Sequence, residues 1–163
     1  MNLTKNILIL TYWSYKDPLI QTYTLPYVQI IRKNLDHNSK IYLFTLEQDF
    51  YKMNIEEWKA EKIKLQKDKI HLIRFSYSNL GVKMILKLIC LLIFLFKLIL
   101  FNSISTIHAW GTAAGSLGYI LSVFSGKKLI IDSYEPHAES MVENGTWHKT
   151  SWKFKLMFWL EKK

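Results

Sequence analysis

Two stretches of this chain hold residue types that do chemistry: STIHAWGTAAG, which carries His108, and LIIDSYEPHAE, which carries Asp132, Glu135, His137 and Glu139. An imidazole can give or take a proton near neutral pH, and a carboxylate can orient it or bond a hydroxyl. Carboxylates and imidazoles also suit a metal ion, but their spacing here matches no metal-binding motif, and no metal or other cofactor is expected. The set fits a polar ligand held by hydrogen bonds better, with Pro136 restricting Glu135 to an extended backbone. His108 has two open readings: a group that bonds a ligand hydroxyl or acts as acid or base, or a partly buried histidine bonded to a neighbouring carbonyl. Gly111, Gly115 and Gly118 follow it with a spacing that is not the dinucleotide fingerprint. They either let a helix approach a sheet closely or leave amides around Gly111 and Thr112 free to face a phosphate or sugar oxygen. No nucleophile elbow, P-loop or zinc motif occurs in the chain.

Such residues need strands and helices to position them. Residues 6–12, 40–46, 70–75, 104–109 and 129–132 are short, apolar and partly β-branched, and read as strands. Helical patterns lie between most of them, over 25–35, 56–65, 82–101 and 117–124, and a last aromatic-rich helix covers 152–163. The segment after Asp132 reads as a polar loop. This alternation predicts one α/β domain over residues 1–163, with a Rossmann-like, mostly parallel sheet flanked by helices. In such sheets the ligand sits at the carboxyl ends of the strands, and that is where Asp132 and, with its strand ending at 109, His108 would stand.

At 163 residues and half apolar, the chain suits one domain with a sizeable core. Its net charge of +9 comes from lysines spread along its length, which favours anionic surfaces or phosphorylated ligands; no motif supports nucleic acid. A lone cysteine, Cys90, and a short apolar run near the N-terminus predict a cytoplasmic protein without disulfides. Segment 82–101 is the most apolar part. Lys87 and Lys97 leave nine uninterrupted apolar residues between them, too few to span a bilayer. On a helix Lys83, Lys87 and Lys97 fall within roughly 80° of one another, on a stripe shared with Cys90, Phe94 and Phe101. Either this is a crossover helix with its lysines in water, or Lys83, Lys87, Phe94 and Lys97 form a stripe that touches anionic lipid. Trp147, Trp152 and Trp159, interleaved with lysines, either repeat that composition near the end of the chain or are core and domain-interface residues.

Taken together, IHAWG at a strand end, a small-residue helix and LIIDSYEPHAESMVENGTW resemble the N-terminal half of family 4-like glycosyltransferases, which have the two-Rossmann-domain GT-B architecture. NILILTYW with DPLIQTYTLPYVQIIRKN is similar to the first strand, loop and helix of that half, and KIYLFTLEQ with IHLIRFSYS to its second and third strands. The likeness covers nearly the whole chain. It implies an acceptor-binding domain that works with a C-terminal, donor-binding domain to move a sugar from a nucleotide diphosphate to a glycan or lipid-linked acceptor. Within it, His108 and Asp132 are the implied catalytic candidates and Gly111, Thr112, Glu135 and His137 the implied substrate-binding ones. The loop after the first strand lacks the paired glycines that many relatives place near the donor phosphates, and Asp132 stands where many carry a histidine. Nucleotide sugar is expected to bind only with the second domain, and this half alone to have little turnover. The rival expectation is a non-catalytic, membrane-associated interaction protein, peripheral on the inner face of the membrane. A flavodoxin-like mononucleotide-binding domain ranks last.

Overall fold

The computed structural model describes residues 5–76, 82–132 and 136–162, with the side chains of 82–85 outside that description. Five strands form one parallel sheet: β1 (Asn6–Thr11), β2 (Ile41–Glu47), β3 (Ile70–Ser76), β4 (Ile104–Trp110) and β5 (Lys128–Asp132), in the order β3-β2-β1-β4-β5. The first strand is thus central, and the chain winds outward from it in both directions. Connections α1 (Leu25–Lys33) and α2 (Ile55–Lys67) carry β1 to β2 and β2 to β3, while α3 (Val82–Phe101) and α4 (Thr112–Ser125) lead to β4 and β5. Because right-handed crossovers that run outward in opposite directions fall on opposite faces, the sheet is covered on both sides. The α/β, Rossmann-like expectation is met in every strand.

Packing follows the period of two along each strand. Leu8 and Leu10 point to one side, where they join Leu91, Leu95 and Ile99 of α3 and Ala114 and Leu121 of α4 in a buried cluster. Ile9 points to the other, with Ile41, Leu43, Ile70 and Leu72 against Val28 of α1 and Leu65 of α2. At the amino end of the sheet the buried Asn6 joins three segments. Its Nδ2 donates to the Asn102 carbonyl at 2.6 Å, and its Oδ1 accepts from the Lys40 amide at 2.8 Å.

Helix boundaries have local causes. Asn54 caps α2 in a reciprocal capping box with Glu57, and α4 ends on Gly126, whose φ of 66° lies in the left-handed region that favours glycine. A π-helical turn, Ile20–Thr24, precedes α1 and was not expected from the pattern. α4 lies close on the sheet because of its glycines. A Cβ on Gly118 would come within 2.9 Å of Leu129 Cδ1 and 3.3 Å of Ala109 Cβ, and one on Gly115 within 3.2 Å of Ile131 Cγ2.

Beyond β5 the expected polar loop is in fact a short helix, α5 (His137–Glu143), followed by α6 (Trp152–Glu161). The two pack together, and the Ala138 amide donates to Glu161 Oε1 at 2.8 Å. That bond occupies one of the amides that open α5. A polar seven-residue segment gives too few turns for an amphipathic pattern to be read in advance. Among the described residues no helix is long and apolar enough to cross a membrane.

Gly118→Val should destabilise the fold by about 1–3 kcal/mol, because the added carbons meet Leu129 and Ala109 in an already filled seam. Urea unfolding followed by circular dichroism measures it, and an unchanged midpoint would show that α4 does not sit as close as described.

Candidate functional site

β2 leaves β1 on one side and β4 leaves it on the other, so the topological switch point lies between β1 and β4. The loops that follow these two strands frame it. The loop after β1 is held from several directions. The Tyr15 amide donates to Glu47 Oε1 at 3.2 Å, which also accepts from the Thr45 hydroxyl at 2.7 Å, and the Gln48 amide donates to Ser14 Oγ at 2.7 Å. Leu46 donates to the Trp13 carbonyl at 3.2 Å. The Tyr15 hydroxyl donates to Glu61 Oε2 at 2.9 Å, and burial together with that carboxylate pushes its pKa well up.

The other wall begins at Gly111, the residue after β4, with a φ of 81°. Its amide donates to the Asp132 carbonyl at 2.7 Å and its carbonyl accepts from Gly115 at 2.9 Å. A Cβ here would lie 2.9 Å from Trp13 Cη2, so the indole rests directly on this glycine. Trp13 therefore covers the crevice at the switch point, and the Gly111 amide is already taken. Both features work against a phosphate seated on that residue.

β4 runs to Trp110, one residue farther than its pattern suggests, so His108 stands two residues inside the strand end rather than at it. Alternation puts it on the same face as Trp110, opposite α4. There the rings of His108 and Trp110 lie 5.2 Å apart, and Trp110 meets Tyr23 and Tyr27 edge-on at 5.3 Å and 5.6 Å. Trp110 is buried and its Nε1 has no hydrogen-bond partner, while Tyr27 remains about half exposed. Burial holds the His108 pKa below the ordinary histidine value, and the nearby Asp132 charge pulls it partly back up. At neutral pH the ring is uncharged, able to accept one proton and donate another. Asp132 ends β5 directly beside Trp110 in register.

Of the sequence candidates, the fold brings together His108, Gly111, Thr112 and Asp132. Glu135 lies outside the described residues. His137 opens α5 and sits edge-on to Trp147 at 5.8 Å. Among the described residues no group of three or more His, Cys, Asp or Glu side chains gathers as a metal site. The glycines Gly115 and Gly118 serve close packing of α4.

Sequence reasoning missed the aromatic wall of Tyr23, Tyr27 and Trp110, and Trp13 above Gly111. It also missed a cavity of about 550 Å³ at the carboxyl ends of β2 and β3, lined by Glu47, Gln48, Lys52, Asn54, Arg74 and Ser76. There Arg74 stacks over Trp58 at 4.6 Å, and the buried Glu47 Oε2 is without a hydrogen-bond partner. The period-two pattern marks these strand ends but cannot tell which side chains converge. A second cavity of about 570 Å³, at the opposite end of the sheet, is bordered by Arg32, Lys33, Lys67 and Lys69. Arg32 is spent there on the carbonyls of Asp36, His37 and Asp68. No family model matches this chain, and no curated protein matches its sequence.

The imidazole of His108 should titrate below the ordinary value of about 6.5, and Asp132→Asn should lower its midpoint further, since the carboxylate is what raises it. Imidazole NMR signals followed against pH test both signs. Linkage gives a matching trend: a histidine kept neutral by burial contributes stability above its unfolded pKa and loses it as pH falls through the folded one. His71, also lowered by burial, adds in the same direction.

Proposed function

We propose that this chain is the acceptor-side Rossmann domain of a GT-B glycosyltransferase, binding a sugar or lipid-linked glycan whose hydroxyl attacks a nucleotide sugar held by a second domain. The observation that carries this reading is the aromatic wall of Trp110, Tyr23 and Tyr27 beside the half-buried His108, with Asp132 in register at the same strand ends. Flat apolar faces flanked by a few hydrogen-bonding groups suit a sugar ring, which is apolar on its faces and polar at its rim. Trp13 over Gly111 supports the division of labour, since it fills a crevice where related architectures seat phosphates.

In this reading the neutral His108 takes the proton of an acceptor hydroxyl as its oxygen bonds to the donor's anomeric carbon and the bond to the diphosphate breaks. Asp132 steadies the resulting imidazolium. Charge compensation for the departing diphosphate comes from the second domain, so catalysis depends on the two being held together. Tryptophan fluorescence with a panel of neutral mono- and disaccharide glycosides is the test. Saturable quenching is expected, weakened about tenfold by Tyr27→Ala, a loss of about 1.4 kcal/mol. No turnover of nucleotide sugars by the chain alone is expected; tight mononucleotide binding or robust transfer by it would overturn the reading.

A second reading, that of a membrane-associated interaction protein, has its own supporting observation. α3 is anchored by Leu91, Leu95 and Ile99, and leaves Leu86, Ile89, Ile93, Phe94, Leu100 and Phe101 exposed beside the exposed Lys87 and Lys97. An apolar face edged by lysine matches the boundary between acyl chains and anionic headgroups. Each lysine near such a surface contributes about 1 kcal/mol. The chain should therefore float with vesicles containing phosphatidylglycerol, and glutamate at Lys83, Lys87 and Lys97 together should abolish this. Absence of flotation at physiological salt would remove the second reading and leave the first untouched.

A further inference from the structure

Among the described residues β5 is an edge strand, and its free side is self-complementary. It reads Lys-Leu-Ile-Ile-Asp, with Lys128 exposed and Ile130 and Ile131 exposed to 40% and 48%. Leu129 and Ile131 point toward α4, where they meet Gly118 and Gly115. Lys128, Ile130 and Asp132 therefore share the opposite face. The Asp132 carbonyl accepts from Gly111, so it points inward along β4. Since both backbone groups of one residue point to the same side and successive residues alternate, the outward amides and carbonyls belong to Leu129 and Ile131.

We propose that two copies of this chain pair through β5, antiparallel about a two-fold axis at Ile130, to make one continuous ten-stranded sheet from two of five. In that register Leu129 faces Ile131 of the second copy as a hydrogen-bonded pair, and both outward amides and both outward carbonyls on each strand find partners. Ile130 meets its own copy in a close, non-hydrogen-bonded pair. Lys128 faces Asp132 of the second copy, also at the closer spacing, and the two-fold axis repeats this ion pair at the other end. Opposite charges at the two ends and isoleucine at the centre are what an isologous contact requires. A one-residue slip sets Lys128 against Ile131 and opposes side chains that point to different faces of the sheet, so the pleat specifies the register. The pairing sets a lysine of the second copy beside Asp132, at the border of the candidate site, but it stands on the edge strand alone and does not rest on the sugar reading.

Sedimentation velocity at about 100 µM chain, in a nonionic detergent that covers α3, should show a dimer of the weak, concentration-dependent kind that a short strand contact supports. Lys128→Asp sets like charges opposite each other and should return the chain to monomer, while Lys128→Asp with Asp132→Lys should restore the dimer. In a Cys90→Ser background, Ile130→Cys should give a disulfide-linked dimer under mild oxidation, and Phe124→Cys on α4 should not. A wild-type monomer at that concentration overturns the proposal. So does a dimer that Lys128→Asp leaves intact, which places the contact on the helices, and so does a double variant that folds but stays monomeric.

Discussion

Everything in this fold depends on burying β1 on both faces at once. Leu8, Ile9 and Leu10 are fully shielded, yet no single helix layer can shield them, because alternate residues point to opposite sides. The chain meets this constraint by winding outward from β1 twice, first through α1 and α2 and then, in the opposite direction, through α3 and α4. That reversal fixes where the two cores lie, and it also creates the gap between the loops after β1 and β4. The candidate site is a by-product of how the central strand is covered.

The gap is filled in a particular way. A glycine with positive φ ends β4, its amide is spent on the neighbouring strand's carbonyl, and an indole from the first loop rests on it. The loop carrying that indole is pinned by Glu47 and, through Tyr15, by α2. Aromatic and with its Gly111 amide already bonded, this region differs from a phosphate cradle, which needs open amides and small side chains. Its neighbour His108 lies half-buried beside Trp110, and that burial lowers its pKa, so packing and chemistry have one origin here. Elsewhere, the free edge of β5 and the outer face of α3 are surfaces that leave large apolar side chains exposed.

Much of this architecture was legible beforehand. All five strands stand where short β-branched runs predicted them, and α3 has the bounds its apolar run implies, because burial within a parallel sheet leaves continuous apolar stretches. The glycines of α4 could be read as packing residues for the same reason. The site was legible only in part. Trp110 and Tyr27 meet across 83 residues of sequence, a contact between the start of α1 and the end of β4 that only the folded chain creates. His108 lies inside its strand because Ala109 and Trp110 continue the alternation, and α5 was hidden by polarity and shortness. The exposure of α3 was hidden for the opposite reason: a helix apolar on nearly every side reads as buried, and here only a narrow stripe at four-residue spacing is.

The strand order has a consequence for how the chain reaches this state. β1, β2 and β3 lie within the first 76 residues and can pair early, but the β1 edge that awaits β4 is filled by residues some 100 positions later. The side chain of Asn6 donates to a carbonyl 96 residues away. Until α3 and β4 arrive, Leu8 and Leu10 present a bare apolar face beside an unpaired parallel edge. Closing so long a loop delays the contact that rewards it, which makes folding slow and the half-built sheet prone to aggregate. During synthesis the β1 edge and the face of Leu8 and Leu10 therefore stay uncovered until α3 and the fourth strand have emerged.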